Sequence, residues 1–167
     1  MSSDPKPFDP LPLLQRLAEA DVDFVVIGGV AGGAYGSSYP TYDLDIAYAR
    51  DPENLEKLVD VLRSVGARLR GAPEGMPFQL DAKTIEEASH FTFVTDYGGF
   101  DILSDPDGKP RYEALKAAAK KEDVWGKPIL FASLDHLIAM KETSGRTKDK
   151  LMATEYRVLS DQLRAPR

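Results

Sequence analysis

The chain has 167 residues, 43% hydrophobic and 29% charged, which suits one globular domain with a core of its own. It has no cysteine, which excludes disulfides, thiolate metal sites and a cysteine nucleophile, so any metal must be held by oxygen or histidine. A net charge of −6 opposes broad attraction to nucleic acid or anionic membrane, and neither the first ten residues nor the apolar stretch at 24–34 has the pattern of a leader or a span; a cytoplasmic location with no membrane partner is expected.

Residues 1–10 carry three prolines and read as an irregular tail. Leu13, Leu14 and Leu17 then fall on one side of a short helix over 11–20. Phe24, Val25, Val26 and Ile27 form a β-branched and aromatic run, expected to be a buried strand, that stops at Gly28 and Gly29. A short helix over 29–35, rich in small residues, and a loop over 36–41 follow. The stretch 41–49 alternates aspartate with apolar residues and predicts a second strand. Asp51, Pro52 and Glu53 supply an N-cap, an N1 proline and a first-turn acid. They begin a helix whose stripe is Leu55, Leu58, Val59, Leu62 and Val65 and which Gly66 ends.

Residues 67–89 are broken by Gly71, Pro73, Gly75 and Pro77 and read as loop-rich, with an edge strand at 78–80. Strands at 91–95 and 100–103 are expected to form a hairpin across 96–99, placing Asp101 in its second strand, which residues 105–108 end. A helix over 112–119 and a strand over 129–131 come next. Ser133 caps a helix carrying Leu134, Leu137, Ile138 and Met140; Gly145 breaks it, and a last helix over 147–163 shows Met152, Tyr156, Leu159 and Leu163 at helical spacing. The chain divides into the tail 1–10, a core of 11–132 and a helical segment of 133–167 packed on it.

Asp43 and Asp45 are the chemically loaded pair. Residues i and i+2 of a strand project from one face, so the two carboxylates stand side by side while Leu44 and Ile46 point away. Like charges held that close repel unless a cation lies between them, and hard oxygen ligands of this kind suit magnesium, which binds a few carboxylates together with substrate phosphates. Asp101 is a third candidate from a later strand. His90 and His136 have no ligand partners at metal spacing. A dinucleotide-binding turn is the rival for the glycine-rich segment, but Gly28, Gly29, Gly32, Gly33 and Gly36 never fall in a Gly-x-Gly-x-x-Gly spacing.

The run Ile27-Gly28-Gly29, followed by Asp43-Leu44-Asp45-Ile46 and later by Phe100-Asp101-Ile102-Leu103, resembles the nucleotidyltransferase fold of the polymerase beta type. Lys141, Arg146, Lys148 and Asp149 resemble the second motif of the minimal and abortive-infection nucleotidyltransferase-like proteins, many of them toxins of toxin–antitoxin pairs. The resemblance implies an α/β fold: a small mixed sheet with flanking helices and a helical C-terminal segment. It implies a nucleotidyltransferase in which Asp43, Asp45 and Asp101 are catalytic and hold two magnesium ions, with manganese as a substitute. Gly28, Gly29, Thr41, Lys141, Arg146 and Lys148 would bind the nucleotide. The partner is a nucleoside triphosphate; the acceptor is open between transfer RNA, protein and a small molecule such as an aminoglycoside or lincosamide. A toxin with an antitoxin partner, an antibiotic-modifying enzyme and a non-catalytic nucleotide-binding or antitoxin-like partner protein all fit. The chain departs from the pattern at Tyr39, where many relatives carry an arginine, while Thr41 keeps the expected threonine.

Overall fold

A computed structural model of the protein describes residues 8–73, 75–104 and 111–165. Helix α1 (Pro10–Glu19) starts where Asp9 accepts the amide of Leu11 at 3.1 Å, and it buries Leu13, Leu14 and Leu17. Strand β1 (Phe24–Ile27) is buried at all four residues, and helix α2 (Gly28–Ala34) follows it directly. Strand β2 (Asp43–Tyr48) leads to helix α3 (Pro52–Ser64), capped by Asp51, whose carboxylate accepts the amide of Asn54 at 3.1 Å. Gly66 ends that helix at a φ of +67°, a left-handed conformation that suits glycine.

Strand β3 (Arg68–Leu69), helix α4 (Ala82–Glu86), and strands β4 (His90–Thr95) and β5 (Gly98–Leu103) come next, then helix α5 (Tyr112–Ala118). Strands β6 (Lys120–Val124) and β7 (Lys127–Phe131) precede helices α6 (Leu134–Ser144) and α7 (Thr147–Arg164). The described strands form one mixed sheet in the order β3-β4-β5-β2-β1-β7-β6. Strands β2 and β5 run parallel, as do β1 and β7, and the remaining neighbours are antiparallel.

One core cluster takes in Leu17 of α1, Val26 of β1, Leu58 of α3 and Phe100 of β5 together with Leu137, Met140, Met152 and Tyr156 of the last two helices. On β2 the alternation is plain: Leu44, Ile46 and Tyr48 are wholly buried on one face, and Asp43 and Asp45 stand on the other. Asn54 is the polar residue that locks this arrangement. It is buried, accepts the amide of Asp23 at 2.7 Å and donates to the carbonyls of Ala49 at 2.7 Å and Asp23 at 3.1 Å, tying α3 to the segments flanking β1 and β2.

The small residues of α2 permit close packing. A Cβ at Gly32 would lie 2.8 Å from Cζ of Tyr156, so α7 crosses α2 where only glycine fits. Tyr35 donates to the carbonyl of Ala132 at 2.9 Å, and Glu155 of α7 accepts from the hydroxyls of Ser37 and Ser38, fastening the loop between α2 and β2 to the last helix.

Three expectations differ from the structure. No strand forms at 78–80; the edge strand is β3, paired with Val94 and Phe93, while Phe78 packs its ring 6.3 Å from those of Phe91 and Phe93. Pro77 has no amide for a ladder, and the partly buried Phe78 ring packs by aromatic contact instead. Strand β6 is new: its Lys-Lys-Glu-Asp-Val sequence is charged because it forms the sheet's far edge, and it turns back through Trp125 and Gly126 at positive φ. The hairpin of β4 and β5 is tighter than expected, since Thr95 pairs with Gly98 and only Asp96 and Tyr97 form the turn. Of the expected tail over residues 1–10, residues 1–7 lie outside the described residues and Pro10 already opens α1; the expected stop at 105–108 also lies outside the described residues. No described helix is long and apolar enough to cross a membrane.

Candidate active site

The parallel pairing of β2 with β5 sets the site. Its register puts Asp45 opposite Asp101 and Asp43 opposite Gly99, so three carboxylates share one face of two adjacent strands. Two glycines clear the space they need. Gly28 sits at a φ of +68°, and a Cβ there would overlap the carboxylate of Asp45; a Cβ at Gly99 would overlap that of Asp43. Gly29 meets Thr41 in the same way, with Oγ1 2.8 Å from where its Cβ would be, and that hydroxyl donates to the carbonyl of Asp43 at 3.1 Å.

These residues form one wall of a cleft of about 420 Å³. Leu137, Met140 and Lys141 of α6, and Lys148, Asp149 and Met152 of α7, line its other side together with Ser144 and Arg146. All nine residues singled out from sequence (Gly28, Gly29, Thr41, Asp43, Asp45, Asp101, Lys141, Arg146 and Lys148) line this cleft. Asp149 organises the basic wall. It accepts from Ser144 at 2.5 Å, from Lys141 at 3.2 Å and pairs with Arg146 at 3.1 Å. Burial pushes its carboxyl up, but the Ser144 and Lys141 hydrogen bonds and the two cations bring it below its ordinary value.

The carboxylate wall is electrostatically tense. Burial raises the pKa of Asp45 from 3.8 to about 8, with the charges of Asp101 and Asp43 adding to it and Lys141 opposing. Burial likewise raises Asp101, against the pull of Arg70. Arg70 is the residue that sequence reasoning missed. Its Nη2 lies 2.7 Å from Oδ1 of Asp43 and 3.4 Å from Oδ1 of Asp101, from a segment that reads as irregular. The available signal was the alternation of Arg68, Leu69 and Arg70 after the glycine that ends α3. His90 also lines the cleft.

Among the described residues no group of three carboxylate or histidine side chains is arranged to hold a metal ion. The donor set still fits one in kind: three hard oxygen ligands, two of them crowded enough to resist ionising together, with side-chain-free glycines against them.

No family model matches the sequence, and no curated protein matches it. Solved structures do match by shape. The lincosamide antibiotic adenylyltransferase LnuA, in its lincomycin-bound crystal structure, superposes with a TM-score of 0.60 at 14% identity, covering 89% of this chain and 94% of that one. The antibiotic-resistance factor ANT(2'')-Ia in solution gives 0.55 at 15% identity over 90% of this chain and 80% of that one. An antigenic nucleotidyltransferase-like protein from Paracoccidioides brasiliensis gives 0.55 at 17% identity over 93% and 75%. At these identities the likeness is one of fold: the chain has the nucleotidyltransferase fold.

Proposed function

We propose that the protein is a metal-dependent nucleotidyltransferase that moves a nucleoside monophosphate from a nucleoside triphosphate to an acceptor hydroxyl. The observation that carries this reading is the β2–β5 register, which sets Asp43, Asp45 and Asp101 on one face, in a cleft that Lys141, Arg146 and Lys148 also line. Asp43, Asp45 and Asp101 would hold magnesium, or manganese in its place, and the metal would neutralise their charge and polarise the reacting oxygens.

The chain's own residues divide the remaining work. Gly28 and Gly29 make room for the side chains of Asp45 and Thr41 at the turn into α2, whose backbone lines the cleft where the phosphates would sit. Lys141, Arg146 and Lys148 face the phosphates and offset the charge of the departing pyrophosphate. Asp101, as a ligand of the metal, would help the acceptor hydroxyl lose its proton to solvent as the hydroxyl oxygen bonds to the α-phosphorus and the bond from that phosphorus to the bridging oxygen of pyrophosphate breaks. With Asp149 committed to Lys141 and Arg146, and the other three carboxylates to metal, the cleft keeps no further described carboxylate for a polycationic acceptor. Leu103, Leu137, Met140 and Met152 line it instead. That favours a neutral or weakly charged, partly apolar hydroxyl compound of the lincosamide type over an aminoglycoside. The toxin reading rests on the Lys141 to Asp149 motif alone.

The test is transfer of label from each of the four α-labelled nucleoside triphosphates, with magnesium, to panels of lincosamides, aminoglycosides and transfer RNA. Wild type should label a hydroxyl-bearing acceptor, and Asp43→Asn should lose transfer by roughly a hundredfold or more. Undiminished transfer by Asp43→Asn contradicts the mechanism; nucleotide binding without transfer to any acceptor favours the non-catalytic partner reading.

A further inference from the structure

We propose that Arg70 is the resident counter-cation of the carboxylate site, holding Asp43 and Asp101 in the metal-free protein and leaving them when a divalent cation binds. The inference rests on the metal-site reading above and adds to it a residue that sets how tightly the metal is held.

The backbone of Arg70 is fixed. Its amide donates to the carbonyl of Thr92 at 2.9 Å, extending the ladder of β3 and β4 by one step at the edge of the sheet. From there the side chain reaches over β4 and β5 to β2. Its Nη2 donates to the carbonyl of Phe93 at 3.3 Å, to Oδ1 of Asp43 at 2.7 Å and to Oδ1 of Asp101 at 3.4 Å. Gly99 lies beneath this junction. A Cβ there would overlap both Asp43 Oδ1 and Arg70 Nη2, so the absence of a side chain at 99 makes room for the pair as well as for the carboxylate alone.

The Arg70 guanidinium and a divalent cation compete for Asp43 and Asp101, because Arg70 already occupies Oδ1 of each and two like charges repel at that range. Exchange is physically easy for Arg70. The side chains of Arg70 and Asp43 remain 38% and 39% exposed, a setting in which water and salt screen an ion pair and its contribution is small. The contact is therefore strong enough to compensate the carboxylates while no metal is bound and weak enough to yield to an ion of twice the charge. The consequence is a built-in competitor: metal binds weakly until Arg70 is displaced.

The test is Mn²⁺ binding to the full chain without nucleotide, read from the electron paramagnetic resonance of free Mn²⁺, at neutral pH and low salt. Arg70→Met should bind Mn²⁺ roughly tenfold more tightly than wild type, within the range common for coupling between sites. Arg70→Lys keeps the charge and should remain close to wild type. Cooperative thermal unfolding of each variant confirms that it is folded. Equal or weaker Mn²⁺ binding by Arg70→Met, with Asp43→Asn weakening both backgrounds, overturns the role of Arg70 and leaves the metal site standing. Mn²⁺ binding that Asp43→Asn does not weaken in either background overturns the metal site itself, and the proposal with it.

Discussion

Replacing Asp45 by Asn should stabilise the metal-free protein while destroying its proposed activity. The carboxyl is partly buried beside Asp101 and Asp43, which raises its pKa from 3.8 to about 8. A group whose pKa is raised on folding binds more protons in the folded state, so its contribution to stability is complete below the unfolded value and is lost as pH rises through the folded value. Each unit is worth about 1.36 kcal/mol, so the roughly three units between 3.8 and pH 7 correspond to about 4 kcal/mol at full value. Asp45 retains some solvent contact and interacts with Asp101, so about half of that, ~2 kcal/mol, is the expected gain for Asp45→Asn at neutral pH. In a protein of this length that amounts to about 4–8 °C in Tm. The assay is thermal or urea unfolding in EDTA at pH 4, 6 and 8. Wild type and variant should be nearly equal at pH 4 and diverge as pH rises, and magnesium should recover stability for wild type more at pH 8 than at pH 6. A gap that is constant with pH, or a variant less stable than wild type at pH 8, would mean that folding does not disfavour the charged form of Asp45.

Two predictions concern the scaffold that holds the site. Asn54→Ala leaves the amide of Asp23 and the carbonyl of Ala49 without their side-chain partner, while the Asp23 carbonyl keeps the Ala49 amide at 3.2 Å, and should cost about 2–4 kcal/mol in urea unfolding. Tyr156→Phe removes a buried hydroxyl that has no partner among the described residues, so it should leave Tm unchanged or raise it by about 1 kcal/mol equivalent; a clear loss of Tm would show that this hydroxyl is hydrogen-bonded after all.

The carboxylate pair was legible because strand geometry alone places residues 43 and 45 on one face, and β2 forms there. Asp101 could be placed on a strand from its apolar neighbours, but nothing local in the sequence reports that β5 lies parallel to β2 with Asp101 opposite Asp45. That pairing is a tertiary fact. Helix α3 was readable almost to the residue because Asp51, Pro52 and Gly66 are local signals, whereas Asn54 within it gave no sign of its three bonds to other segments. The charged strand β6 and the short strand β3 escaped for one reason: edge strands lack the apolar alternation that burial imposes. Arg70 went unseen with β3, since its importance lies in a reach across strands that spacing along the chain does not encode.

A metal–nucleotide site built from Asp43, Asp45 and Asp101 would show itself in thermal unfolding of wild type and Asp43→Asn with each nucleoside triphosphate, with and without magnesium. At a free ligand concentration about a hundred times Kd, binding adds about 2.7 kcal/mol to stability. One triphosphate should raise the Tm of wild type by about 5–10 °C only when magnesium is present, and Asp43→Asn should lose the shift. No shift with any triphosphate and magnesium, or an equal shift in Asp43→Asn, would contradict it.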